Sequence, residues 1–133
     1  MSPANESDIV LWIPPRTSYV HLLRTVAASA CASFNLSIDD IADVRLAVTE
    51  AASQLMTSRP GAAELEMRLS DEGSVVRITV TLAGPSKGEG TASGEPDDSL
   101  AWQVLKALGD DVRIVGDDDA VGITFAKARP AGL

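Results

Sequence analysis

The chain has 133 residues, of which 45 % are hydrophobic and only 4 % aromatic, and its formal net charge is −8. That length suits one compact domain, with a core built from Val, Leu, Ile and Ala. The acidic balance argues against binding to nucleic acid or to an anionic membrane surface, which needs clustered Lys and Arg, and it suits a basic protein partner.

The polar start MSPANESD is expected to be a flexible segment over residues 1–7. It lacks the order of a secretory signal, and no stretch approaches the ~18 apolar residues of a membrane span, so a cytoplasmic protein is expected. A strand follows at Ile9 to Ile13, closed by Pro14 and Pro15, which cannot continue a ladder. Thr17 or Ser18 is placed to cap a helix running to about Phe34, with Tyr19, Leu22, Leu23, Val26, Ala30 and Phe34 near helical spacing. Cys31, the single cysteine, lies on this apolar stretch and reads as a small core residue.

The clearest helix starts after Ser37, a good N-cap, and carries Asp39 and Asp40 in its first turn, where the helix dipole favours negative charge. Ile41, Val44, Val48, Ala51, Ala52 and Leu55 form its apolar face, and Pro60 with Gly61 ends it. In ELEMRLS, Leu65, Met67 and Leu69 alternate with charged residues, the period of a half-buried strand. A DEG turn and SVVRITVTLA complete a hairpin. Residues 84–98 are rich in glycine and poor in apolar side chains, which suggests a lid-like loop. A short helix follows, capped by Asp98 or Ser99 and ended by Gly109; DVRIV and VGITFAKA form a last hairpin, and the tail at 129–133 is expected to fray. This order predicts an α+β fold, a two-layer sandwich with a mixed sheet and helices on one face, in one domain over residues 8–128.

Several chemistries find no support. GPSKGEG has its lysine in the wrong place for a phosphate-binding loop and does not open a helix. His21, the only histidine, has no nucleophile beside it in sequence and reads as a partly exposed helix residue. The acids at 117–119 lack the spacing of a calcium loop and read as solvated turn residues. Glu50 and Gln54, one helical turn apart on the second helix, stand out from an otherwise apolar ladder. By residue type alone they are a solvated helix edge; the order of elements around them is what points to a site.

The segments HLLRTVAA, DDIADVRLAVTEAASQLM and AWQVLKALGDDVRIV, in this order, resemble the anti-sigma factors of the RsbW and SpoIIAB kind. These belong to the GHKL superfamily of histidine-kinase-like, Bergerat-fold ATPases, and the likeness is greatest to the actinobacterial branch. It spans roughly residues 8–128, and DVRLAVTEA stands where the family carries D-I-x-L-A-V-x-E-A. It implies partner switching: a homodimer binds and blocks an RNA polymerase sigma factor, and a STAS-domain anti-anti-sigma factor displaces it. Many members use ATP and Mg²⁺ to phosphorylate a serine of that antagonist.

Carried over residue by residue, the resemblance makes Glu50 the catalytic general base. Gln54 stands where an Asn would ligate Mg²⁺, on a longer stem that octahedral Mg²⁺ tolerates badly. Leu82 replaces the Asp that would bond the adenine amino group, while Gly84 fits a family glycine. Asp97 and Asp98 lie where backbone amides of a glycine run would meet phosphate. Arg24 on the first helix matches the residue that contacts both sigma factor and antagonist. The expectation is therefore an anti-sigma factor with a degenerate nucleotide site. An active serine kinase is the alternative, and a sensor of some other small ligand under the loop is the third reading.

Overall fold

The computed structural model describes residues 8–59, 61–84, 100–117 and 119–130. The chain order is β1 (Ile9–Ile13), α1 (Val20–Ser33), α2 (Ile38–Ser58), β2 (Glu64–Asp71), β3 (Val75–Ala83), α3 (Leu100–Leu108), β4 (Asp110–Gly116) and β5 (Ala120–Ala128). The strands form one sheet in the order β1-β2-β3-β5-β4. The α+β sandwich is as expected, but all four pairings are antiparallel, so the sheet is not mixed. The reason is topological. α3 carries the chain from β3 to a β4 of the same direction, but β5 folds back into the gap and keeps the two parallel strands apart.

Period-two alternation sets the core. Ile13, Leu65, Leu82 and Val121 lie side by side across β1, β2, β3 and β5; Leu11, Met67, Val80 and Ile123 form the next row, and Ile9, Leu69, Ile78 and Phe125 the third. A slip of one residue in any strand would turn its share of these rows to the other face. The rows pack beneath α1 near β1 and β2, α2 over β3 and β5, and α3 beside β4. Gly109 ends α3 directly under Phe125, where an added Cβ would lie 2.8 Å from the ring. The opposite sheet face is mixed in character, with Trp12 53 % exposed at one side.

α2 begins as its sequence dictates: the Ser37 hydroxyl accepts from the Asp40 N–H at 3.1 Å. α1 does not. A single 3-10 turn at Thr17–Tyr19 precedes it, and neither helix start has a side-chain cap; the His21 Nδ1 instead donates to the Ser18 carbonyl at 3.0 Å. Of the loop expected at 84–98, all but Gly84 lies outside the described residues, including Asp97 and the cap candidate Asp98, as do the cap candidate Ser99 and residues 1–7. Residues 131–133 do too, yet the tail's first residue is held fast. Arg129 donates to both Asp71 oxygens at 2.8 and 2.7 Å, and its backbone N–H to the Ser74 carbonyl. At the last hairpin turn, Asp117 accepts from the Asp119 and Ala120 N–H groups, consistent with a turn role.

Two measurable consequences arise here. The Gly73 N–H, and after it Arg129, hold the Asp71 carboxyl below the ordinary carboxylate range. This contribution to stability is complete above the unfolded pKa of about 3.9 and is lost as pH falls through the depressed folded value. Urea midpoints measured against pH should therefore fall less steeply below pH ~4 in Asp71→Asn than in the parent. Cys31 is fully buried, and burial, with a smaller push from Asp40, raises its thiol to about 11. Folded protein at pH 8 should react with a thiol reagent at least tenfold more slowly than urea-unfolded protein, because the reactive thiolate is scarce and shielded.

Candidate functional site

At about 100° per residue along a helix, Asp43, Glu50 and Gln54 fall on one stripe of α2. Lys127 of β5 fixes where that stripe looks: its Nζ lies 3.0 Å from Asp43 and 3.6 Å from Asp40. Glu50 and Gln54 thus face the β5 and α3 side of the helix layer. Both are half-buried, and neither makes a hydrogen bond or ion pair among the described residues. A carboxylate and an amide one turn apart are chemically able to take up a proton and to offer a metal an oxygen.

Arg24 belongs to another flank. Its Nη1 donates to the Thr49 hydroxyl at 3.4 Å, across the seam between α1 and α2, and Thr49 in turn donates to the Arg45 carbonyl at 2.9 Å. Thr49 precedes Glu50 in sequence but leaves the helix about 100° from it. The structure therefore brings Glu50 and Gln54 together and sets Arg24 apart from them. Thr49 carries no motif, and only the register of two packed helices reveals it.

Leu82 is fully buried in its row, flanked in the sheet by Leu65 and Val121. An alkyl side chain in an apolar row would give an adenine amino group no acceptor. Gly84 follows the end of β3 with φ +151°; its N–H donates to the Asp119 carbonyl, and a Cβ would lie 2.9 Å from the Ala63 nitrogen. The close passage of two backbones requires glycine here whether or not a nucleotide binds. Among the described residues no group of three His, Cys, Asp or Glu side chains is placed to hold a metal ion, and no helix is long and apolar enough to cross a membrane.

The model of the histidine kinase-like ATPase domain matches residues 13–126. The chain is also 30 % identical, over 92 % of its length and 74 % of the relative's, to the anti-sigma-F factor RsbW of Mycobacterium tuberculosis, in two strains. The chain belongs to the histidine kinase-like ATPase family and, within that GHKL-type superfamily, to its RsbW-type members. The two-layer arrangement of antiparallel sheet and three helices is that of the family.

Proposed function

We propose that this protein is an anti-sigma factor that works by partner switching. It binds and blocks an RNA polymerase sigma factor and is countered by a STAS-domain anti-anti-sigma factor. The observation that carries this reading is the likeness, over 92 % of the chain, to a protein named as an anti-sigma factor. Arg24 is the anchor for both partners: it is half-buried, steadied by Thr49, and suited to bidentate contacts with a carboxylate. The net charge of −8 supports it, since an acidic inhibitor is steered to the basic surfaces with which sigma factors meet DNA. The working form in this proposal is a cytoplasmic homodimer of one 8–128 domain per chain.

The nucleotide site is, in the same reading, degenerate. Leu82 supplies no acceptor for adenine, and Gln54 holds its amide farther from the helix than the family's Asn. ATP and Mg²⁺ are then not needed for sigma binding, and competition between partners governs the switch. A second reading is kept because Glu50 and Gln54 share a stripe facing α3: an active serine kinase acting on the antagonist, with Glu50 as base.

Titration calorimetry separates the two. Under the first reading, millimolar ATP with Mg²⁺ gives no heat, and Glu50→Ala leaves sigma binding unchanged. Micromolar nucleotide binding, with phosphate transfer to the antagonist abolished by Glu50→Ala, would establish the second. Arg24→Ala is expected to weaken sigma binding by ~30-fold or more, the loss of ~2 kcal/mol typical of a central arginine anchor. Full affinity in that variant would remove the anchor role.

A further inference from the structure

The two long helices carry their charges unevenly. α1 holds no Asp or Glu over Val20–Ser33, and its one arginine is Arg24. On α2, Asp40, Asp43 and Glu50 keep to the flank that faces β5 and α3. Arg45, four residues before Thr49, stands with it on the other flank, which meets α1. Leu46 rides the crest between the two flanks and is 59 % exposed. Asp39 precedes Leu46 by seven residues, two turns or ~10 Å toward the start of the helix.

Thr49 ties the two arginines to one place. It takes a hydrogen bond from Arg24 Nη1 and gives one to the Arg45 carbonyl, so the Arg24 guanidinium lies against the turn that begins at Arg45. No Asp or Glu stands three or four residues either side of Arg24 or of Arg45, the positions from which a helix neighbour could pair with them. Among the described residues neither guanidinium makes an ion pair. The cations of the sheet differ: Arg68, Arg77, Arg113 and Lys127 all lie within ion-pair distance of carboxylates. In a chain of net charge −8, the α1–α2 seam is thus a strip of reversed sign beside an exposed leucine.

We propose that Arg24, Arg45 and Leu46 form one docking surface for an acidic segment of a partner protein. Each arginine receives a carboxylate through paired hydrogen bonds, and Leu46 takes an apolar side chain that lies between them. Charge complementarity selects the acid, and the leucine selects a protein over a nucleic acid, whose phosphates call for a broader cluster of cations. The inference deepens the anchor role proposed above for Arg24 and rests on that reading. Overall acidity steers the chain toward basic regions of a partner from a distance, whereas this strip chooses an acidic segment at contact.

The test is a ¹H–¹⁵N correlation titration of the intact protein with a capped helical peptide that carries a leucine between two glutamates on one face. The same peptide with glutamines, the same with lysines, and an oligodeoxythymidine strand are the comparisons. Saturable shifts are expected around Arg24, Arg45, Leu46 and Thr49, with the glutamine peptide bound about tenfold more weakly or worse. Arg45→Ala and Leu46→Ala should each weaken binding of the glutamate peptide about fivefold or more. Arg45→Glu should lose the glutamate peptide and gain the lysine peptide. Arg45 and Leu46 are exposed, so these variants keep the parent's spectrum elsewhere, and Lys106→Ala, an exposed cation on α3, should bind as the parent does. Shifts that do not saturate, equal binding of the glutamine peptide or the oligonucleotide, or an unchanged affinity in Arg45→Glu would overturn the proposal. The same variants are then titrated with the sigma factor. A sigma factor that ignores the parent chain while the peptide binds it would remove the anti-sigma reading and leave the acidic-segment surface standing; one that binds parent and Arg45→Glu alike would remove the surface and leave the reading.

Discussion

Replacing Leu82 with aspartate is expected to cost about 4 kcal/mol or more of folding stability at pH 7, a large part of the ~5–15 kcal/mol that holds a domain of this size. The substitution restores the residue type that the family resemblance places there. In this chain, however, position 82 is fully buried between Leu65 and Val121. A carboxylate in that row meets no donor and is driven to take up a proton. Its folded-state pKa is raised above the unfolded value, so the penalty is smallest at pH ~4 and grows as pH rises toward neutrality. Urea unfolding at both pH values measures this directly. A variant as stable as the parent at pH 7, and newly able to bind ATP, would mean that the row opens to a base, and the degenerate-site reading would fall.

Phe125→Ala should cost ~3–5 kcal/mol. Phe125 is fully buried, sits opposite Ile78 in the sheet, and covers Gly109 at the end of α3. Truncation leaves a void bounded by a β-strand on one side and a helix end on the other. Neither relaxes freely, because β5 is paired on both edges. With a urea slope of ~2 kcal/mol per molar, the midpoint should fall by ~1.5–2.5 M. Phe125→Leu keeps most of the volume and should recover more than half of the loss; no difference between the two variants would show that the ring is not what fills this space.

The elements that sequence reading placed correctly are those whose information is local. The alternation of Leu65, Met67 and Leu69 with charged residues is enough to define a strand, and Ser37 with Asp39 and Asp40 is enough to start a helix. Thr17 and Ser18 carry the same capping chemistry, yet a 3-10 turn takes up the start of α1 and neither side chain caps it. Strand direction was not legible, since the position of β5 between β3 and β4 is a property of the whole sheet. The candidate site divides in the same way. Glu50 and Gln54 are related by one turn of one helix, so their common stripe follows from spacing alone. The Arg24–Thr49 contact joins residues 25 apart, which no local pattern encodes. The grip of Arg129 on Asp71 escaped for the same reason, and the tail was expected to fray from its first residue.

The place of β5 bears on how the protein is made. It is the last strand in chain order among the described residues, but it supplies an inner position of the sheet. Until residues 120–128 have left the ribosome, β1, β2 and β3 form a three-stranded antiparallel sheet with a bare edge at β3, and β4 has no neighbour at all. Closure of the sheet is therefore a late event, set by pairings distant in sequence that form slowly. During synthesis the unpaired edge of β3 is the part most open to association with other chains, and insertion of β5 is the step that removes that hazard.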